Sequence, residues 1–353
     1  MDLPKQDLTQ AIERWFREEA RDLPWRRKRT RWRSFVSEIM LQQTQVSRVV
    51  ERFEPFMKLF PTPADLAKAS EDSVNAAWAG LGYYRRARNL QTAACQIVQR
   101  HGGRVPSKLE DLLALQGVGR YTAGAIASIA CGGQAPIVDG NVHRVLARLT
   151  ADPFALDDRE CAKRTWACSE ELVEASGDPG VFNEGLMELG SQICTKHSPV
   201  CERCPVARWC ESRKRGLVDE IPPVRKRPRK LVEHHHAVGI LRGRRIMFQQ
   251  RSDKGRWAGL WQLPTVESEK RLRPAEIRSK LDFDVDALKH IGSFERVLTH
   301  RRIRFHVYRA AMQSGQRVGS RGRWHGLTEG QMPPLGAAQK KTLDVLAASM
   351  RCD

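Results

Sequence analysis

Two sets of residues in this chain could do chemistry: thiols at metal-binding spacing and carboxyls in apolar or helix-capping settings. Cys194, Cys201, Cys204 and Cys210 follow a C-x6-C-x2-C-x5-C pattern. The two short intervals, with Pro199 and Pro205 folding the segment back, let four sulfurs converge on one centre. Four-cysteine zinc sites usually pair two close couples, and here only Cys201 and Cys204 are close, so iron-sulfur, zinc and unligated thiols all stay open on spacing alone. Glu38 stands among Ile39, Met40 and Leu41, and Gln42 follows it by four residues on the same helical face. Such a carboxyl is either solvated or, if buried, raised in pKa and able to donate a proton. Asp139, in Val138-Asp139-Gly140-Asn141-Val142, precedes a helical apolar pattern through Val145, Leu146 and Leu149 and reads as an N-cap. A carboxylate held by helix N–H groups stays ionised, and such an anion can also stabilise a cation.

These residues need helices to hold them. Apolar positions recur at helical spacing through Ile12, Trp15 and Phe16 and again from Val36 to Met57. Thr62-Pro63-Ala64-Asp65 and Ser107-Lys108-Leu109-Glu110 have the form of capping boxes. Between a helix expected over 107–115 and a small-residue helix over 121–130 lies Gly117-Val118-Gly119-Arg120-Tyr121. The two glycines permit a tight reversal and leave N–H groups open at a helix start, where a phosphate can dock; the plainer alternative is a packing corner. Residues 1–216 read as all-α, with few strand-like alternations. From Ile221 to Lys230 three prolines and five basic residues mark a linker, taken as 217–233. Residues 234–353 then alternate as an α+β domain, beginning with a hairpin around Arg242-Gly243-Arg244. Strand alternation sets His235 on the opposite face from His234 and His236, which argues against a three-histidine metal site.

A formal charge of +19 favours a nucleic-acid partner over an acidic membrane surface. No apolar run reaches membrane-spanning length, and the first residues lack the order of a secretory signal, so a cytoplasmic, nucleoid-associated protein with no membrane partner is expected. Nine cysteines, five of them scattered at Cys95, Cys131, Cys161, Cys168 and Cys352, fit a reducing compartment.

Together the motifs resemble the helix-hairpin-helix base-excision glycosylase superfamily, and most closely its MutY-type adenine glycosylases. The resemblance rests on Leu23-Pro24-Trp25-Arg26, the Ser37–Val46 segment, Gly80-Leu-Gly-Tyr83-Tyr84, the hairpin over 107–130, Val138–Val142 and the cysteine loop 194–210. It extends to Arg256–Pro264, which is similar to the Nudix-like domain that this family appends. The resemblance implies a multi-domain protein that removes adenine opposite 8-oxoguanine or guanine and leaves an abasic site. It implies one [4Fe-4S] cluster on Cys194, Cys201, Cys204 and Cys210, double-stranded DNA as partner, and a bacterial monomer with a processivity clamp or mismatch-repair protein as a further partner. It assigns Glu38 as proton donor and Asp139 as stabiliser of the sugar cation, with Tyr121 and Asn141 organising them. Trp25, Arg26, Glu184 and Glu188 would line the adenine pocket. Gln42, Gln43, Tyr83, Gly117, Gly119, Arg120, Thr299 and His300 would meet DNA, Gln43 and Tyr83 by insertion. This chain has Leu298-Thr299-His300 where bacterial members often have Phe-Ser-His in the lesion-reading loop: the hydroxyl is kept and the stacking ring is not.

Three rivals remain. An endonuclease III-like lyase needs an amine at the hairpin, but Tyr121 stands where that branch has lysine. A Nudix hydrolase needs an R-E-x-x-E-E cluster, and Arg271–Lys280 contains only Glu276 as an acid. The third, a non-catalytic iron-sulfur DNA-binding protein, would be indicated by a solvent-exposed Glu38.

Overall fold

The computed structural model describes residues 4–155, 157–223, 230–252, 254–312, 322–326 and 332–351; Cys352 and the centre of the basic linker, 224–229, lie outside them. Along the chain the helices are α1 (Lys5–Glu19), α2 (Pro24–Arg27), α3 (Arg31–Leu41), α4 (Val46–Leu59), α5 (Pro63–Lys68), α6 (Glu71–Ala77), α7 (Arg85–His101), α8 (Leu109–Leu113), α9 (Arg120–Ala125), α10 (Gly140–Thr150), α11 (Arg159–Glu174), α12 (Pro179–Gln192) and α13 (Glu211–Lys214). There follow β1 (Leu231–Arg242), β2 (Arg245–Gln250), β3 (Trp261–Gln262), β4 (Thr265–Ser268), α14 (Pro274–Arg278), β5 (Lys289–Val297), β6 (Arg301–Ala311), β7 (Gly322–Gly326) and α15 (Ala337–Met350). Contacts divide the chain into one unit of residues 1–69 and 88–226 and a second of 70–87 and 227–353. No helix among the described residues is long and apolar enough to cross a membrane.

The first unit is helical because its caps and apolar stripes agree. Thr62 and Asp65 close a reciprocal capping box, with Pro63 in the first helical turn. Ser107 does not cap: α8 starts at Leu109 with Lys108 at its N-cap. Glu110 then falls one position short of the site from which a capping-box carboxyl reaches back. Leu8, Ile12, Ile137, Val142, Val145, Leu146, Phe182, Leu186 and Leu189 bring α1, α10 and α12 into one buried cluster, against which Tyr121, Cys194, Cys204 and Cys210 pack. The helix expected over 121–130 changes pitch, α-helical to Ala125 and then a π turn over Ile126–Ala130. Gly124 is obligatory where it stands, since a Cβ there would lie 2.2 Å from the Pro136 carbonyl oxygen.

In the second unit the sheet runs β3-β2-β1-β6-β5, with β4 on β1 and β7 on β2. β1 opens at Leu231, so its first three residues take in the end of the segment read as linker. It pairs in parallel with β6, from Leu231 opposite Arg301 to Leu241 opposite Ala311. One sheet face packs Val238, Ile240, Met247 and Tyr308 on Ile277 of α14. The other packs Ala237, Ile246, Phe248 and Leu263 on Leu346 of α15. The histidines follow the same alternation: His235 contacts Phe305 and Trp257, while His234 and His236 lie beside His306.

Gly117 has φ +80, and a Cβ there would come within 2.7 Å of the Asn89 side chain. Gly117→Ala is expected to lower the unfolding free energy by about 1–3 kcal/mol in urea titrations, and an unchanged midpoint would mean that Asn89 and the reversal yield freely.

Candidate active site

α3 carries Glu38 into the protein rather than out of it. Thr30 caps the helix by accepting from the Arg33 N–H, and Phe35, Val36, Ile39 and Met40 bury the flanks of the acid. Glu38 is 8% exposed, which removes the solvated alternative. Burial, with the charges of Glu184 and Asp139 adding to it, pushes its carboxyl up to about 7, against an opposing hydrogen bond from Tyr121 and the charge of Arg26. Gln42, one turn on, ends the helix and donates through Nε2 to the Thr122 hydroxyl at 3.1 Å, which ties α3 to α9.

The hairpin delivers the next group. Gly119 is the N-cap of α9, with no side chain over the first-turn N–H groups and open space beside its Cα. Arg120 lies over the ring of Trp166, 3.8 Å from its centroid. Tyr121 points inward, its hydroxyl donating to the Met187 sulfur at 2.8 Å and meeting Glu38, and burial raises its pKa.

Asp139 is the N-cap of α10. Its Oδ1 accepts the Asn141 and Val142 N–H groups at 2.9 and 2.7 Å, and its Oδ2 accepts the Asn141 side-chain amide at 3.3 Å. The Asn141 Oδ1 in turn accepts Arg144 Nη2 at 2.9 Å, and Arg144 Nε donates to the Cys194 carbonyl at 2.8 Å. One turn further along α10, Arg148 donates to the Thr195 carbonyl at 2.7 Å and the Ile221 carbonyl at 2.8 Å. The same helix therefore positions Asp139 and fastens the cysteine loop.

Glu38, Tyr121, Asp139 and Asn141 line one cavity of about 180 Å³ together with Trp25, Arg26, Glu184 and Glu188. A cavity of ~150 Å³ holds benzene, so this one has room for an aromatic base. Glu184 and Glu188, on one face of α12, are both ion-paired. Arg26 reaches Glu184 at 3.0 Å and Glu188 at 3.2 Å. Arg21 binds Glu188 in a fork at 2.6 and 2.9 Å, and Arg29 takes the other oxygen of Glu184 at 2.7 Å. Burial alone would raise the Glu188 pKa, but Arg21 and Arg26 hold it below the ordinary value. Sequence reasoning missed Arg21, Arg29 and Met187. The arginines sit in a run that reads as surface charge, and the usable signal was on the other partner: two glutamates four apart on an otherwise apolar helix require buried cations.

Cys194, Cys201, Cys204 and Cys210 line a separate cavity of about 30 Å³ with Ile193, Ala207 and Val218. Burial pushes the Cys201 and Cys210 thiols up, and that of Cys204 up to about 12. Among the described residues no three Cys, His, Asp or Glu side chains gather as they would around a single metal ion. Of the residues expected at DNA, Gln43 is exposed with φ +56 and Tyr83 is 52% exposed with φ +47. Left-handed backbone is uncommon for such residues and marks tight, outward-turned loops. Within the second unit, the Tyr83 hydroxyl lies 3.0 Å from that of Thr299, and Thr299 and His300 are exposed between β5 and β6.

Residues 36–170 match the family model of the HhH-GPD superfamily base excision DNA repair proteins, and residues 236–345 match the NUDIX domain. The human adenine DNA glycosylase is 34% identical over 94% of this chain and 72% of its own length. That of Buchnera aphidicola from Schizaphis graminum is 30% identical over 83% of this chain and 84% of its own. Among solved structures, a thermostable thymine-DNA glycosylase superposes with a TM-score of 0.54 at 28% identity, covering 60% of this chain and 97% of that one. Endonuclease III in a DNA complex shares the fold, with a TM-score of 0.50 at 23% identity over 61% of this chain and 99% of that one.

A carboxyl raised to about 7 from an ordinary 4.5 binds its proton more tightly in the folded state. Its cost to stability is absent below pH 4.5, grows as pH rises and is complete above 7, at about 3 kcal/mol. Glu38→Gln should therefore melt higher than the parent at pH 8 and close to it at pH 5; equal shifts at both pH values would contradict a protonated, buried Glu38.

Proposed function

The chain belongs to the adenine DNA glycosylases, helix-hairpin-helix enzymes of base excision repair, and from that premise we propose that it removes adenine opposite 8-oxoguanine or guanine with Glu38 as acid and Asp139 as anion. The observation that carries this reading is the pairing, in one base-sized cavity, of a buried carboxyl that keeps its proton near neutrality with a carboxylate fixed as an acceptor by three N–H groups.

Adenine is a poor leaving group as an anion. Glu38 gives its proton to a ring nitrogen as the bond from C1′ to N9 breaks, so neutral adenine departs. The bond's electron pair leaves with the base, and the sugar becomes an oxocarbenium-like cation. Asp139 stabilises that cation electrostatically or captures it at C1′, and Glu38, now ionised, takes a proton from the incoming water. Tyr121 holds Glu38 in place and Asn141 orients Asp139, while Trp25, Arg26, Glu184 and Glu188 grip the base, the arginines fixing the positions of Glu184 and Glu188. The base must first leave the duplex, at a cost of a few kcal/mol that is least at a mispair, and Gln43 and Tyr83 fill the gap. Gly117, Gly119 and Arg120 serve the phosphate backbone, and Thr299 and His300 read the opposite base.

Among the described residues no lysine lines the cavity, and none occurs in the sequence between Lys108 and Lys163, which supports simple hydrolysis to an abasic site over Schiff-base lyase chemistry. The four thiols suit a [4Fe-4S] cluster: an all-sulfur donor set faces one small, largely apolar cavity, and burial keeps the Cys201, Cys204 and Cys210 thiols protonated until a metal takes them. Such a cluster would tie the loop together covalently, and through Arg144 and Arg148 the loop would hold α10. We further propose a monomer of the bacterial cytoplasm, bound to nucleoid DNA and assisted by a processivity clamp or mismatch-repair protein.

The test is single-turnover excision from duplexes with adenine opposite 8-oxoguanine or guanine, each sample split and half heated in alkali. Strand breaks only after alkali, faster opposite 8-oxoguanine, are expected; breaks without alkali would revive the lyase. Asp139→Asn should keep DNA affinity and lose about 10²-fold or more in rate. Weak binding with a normal rate would remove Asp139 from its role. Cys201→Ser should lose visible absorbance and DNA affinity together, and a colourless variant that binds fully would refute a docking function for the cluster.

A further inference from the structure

The turn between β5 and β6 contains only Leu298, Thr299 and His300, yet it is pinned from several sides. Inside the turn the Leu298 N–H donates to the Arg301 carbonyl at 2.7 Å. From the start of β1, Lys230 Nζ donates to the Leu298 carbonyl at 2.8 Å, and the Leu231 N–H donates to the His300 carbonyl at 3.2 Å. The Leu298 side chain is half-buried against the cluster of Ile303, Phe305 and Ala338, so it anchors the turn instead of projecting from it. The Thr299 and His300 side chains are left exposed.

Glu233 completes the mooring. Its side chain is 16% exposed, and its carboxylate takes the guanidinium of Arg301, the residue next to His300, on one oxygen. On the other it takes Arg256 at 2.6 Å. Arg256 also approaches Glu267 at 3.4 Å, and Glu267 is held by Arg251 at 2.7 Å. His235 lies beneath, its Nε2 3.7 Å from both carboxylates. Glu233 is therefore one corner of a half-buried lattice that joins β1 and β4 to Arg251 and Arg256, rather than an isolated surface pair.

We propose that Glu233 is a positioning residue for the 298–300 turn: by holding Arg301, with Lys230 on the Leu298 carbonyl, it fixes Thr299 and His300 in the pose that distinguishes 8-oxoguanine from guanine. This rests on the reading of that turn as the contact to the opposite base. The two bases differ on one edge, where guanine presents an acceptor at N7 and 8-oxoguanine presents an N7–H donor beside a carbonyl oxygen. Telling them apart asks a hydroxyl and an imidazole to stand within hydrogen-bonding tolerance, which falls off steeply with distance and angle. Both side chains are exposed, and although the Thr299 hydroxyl also meets that of Tyr83 at 3.0 Å, the placement of the pair depends first on the backbone below them.

The experiment compares the full-length, cluster-loaded protein with Glu233→Gln, Arg301→Gln, their double variant, Lys230→Ala and Thr299→Ala. Single-turnover rates at sub-saturating and saturating enzyme are measured on adenine opposite 8-oxoguanine and opposite guanine. Glu233→Gln should reduce the preference for 8-oxoguanine roughly tenfold, the order expected for a lost charge-assisted bond, while saturated excision opposite guanine stays within about twofold. Arg301→Gln should do the same, and the double variant should be no worse than Glu233→Gln, because the Glu233–Arg301 pair is already lost in each single variant. Lys230→Ala gives a milder loss in the same ratio and keeps the test decisive if Glu233→Gln folds poorly. Equal losses on both substrates, or an intact ratio in the Glu233, Arg301 and Lys230 variants while Thr299→Ala abolishes it, would reduce Glu233 to a structural role and overturn the proposal. An intact ratio in Thr299→Ala would instead show that the turn is not the reader, and the reading beneath the proposal would fall with it.

Discussion

The cap that Asp139 places on α10 is the interaction on which the rest of the first unit turns. One carboxylate oxygen accepts two backbone N–H groups of the first turn, so the start of the helix and the anion are fixed in the same act. The rest of α10 carries that placement outward. Arg144 and Arg148, one turn apart, grip carbonyls of the cysteine loop, and Val142, Val145, Leu146 and Leu149 enter the core shared with α1 and α12. A shift at the cysteine loop thus has a direct covalent and hydrogen-bonded path to the carboxylate through Arg144 and Asn141.

Two neighbouring carboxyls share the cavity, and their surroundings differ. Glu38 has apolar flanks and the like charges of Glu184 and Asp139 nearby, which favour its proton, while Asp139 accepts three N–H groups at the start of α10. The arginines around Glu184 and Glu188 contribute in the same direction. Pairs buried to this degree are weak sources of stability, because desolvation offsets attraction. Their clearer effect is geometric, holding two acceptors in one corner of a cavity that would otherwise admit several rotamers. The raised Glu38 shows the cost of such a site, a carboxyl kept where folding would prefer an amide.

In the second unit Glu276, the one acid of Arg271–Lys280, accepts the Arg273 N–H and caps α14. What the sheet offers is rigidity. Parallel pairing of β1 with β6 along eleven positions, from Leu231 opposite Arg301 onward, ends at the turn that bears Thr299 and His300. Leu298 packs inward on the cluster of Ile303, Phe305 and Ala338, so it helps hold the turn.

The sequence by itself determined the elements whose causes are local. The Asp139 cap, the Thr62 box, the reversal at Gly117 and the alternation of the β1 histidines each follow from a few adjacent residues and their preferred backbone. The cysteine intervals brought Cys194, Cys201, Cys204 and Cys210 to the lining of one cavity. Tertiary structure alone decided whether Glu38 was wet or dry, because that depends on which helices cover it and on Glu184, 146 residues away in the chain. It also decided the partners of Glu188, the sulfur that meets Tyr121 and the hold of Glu233 on Arg301. Those pairings join segments with no sequence signal in common, and they exist only because packing removes water from around groups that must then find each other.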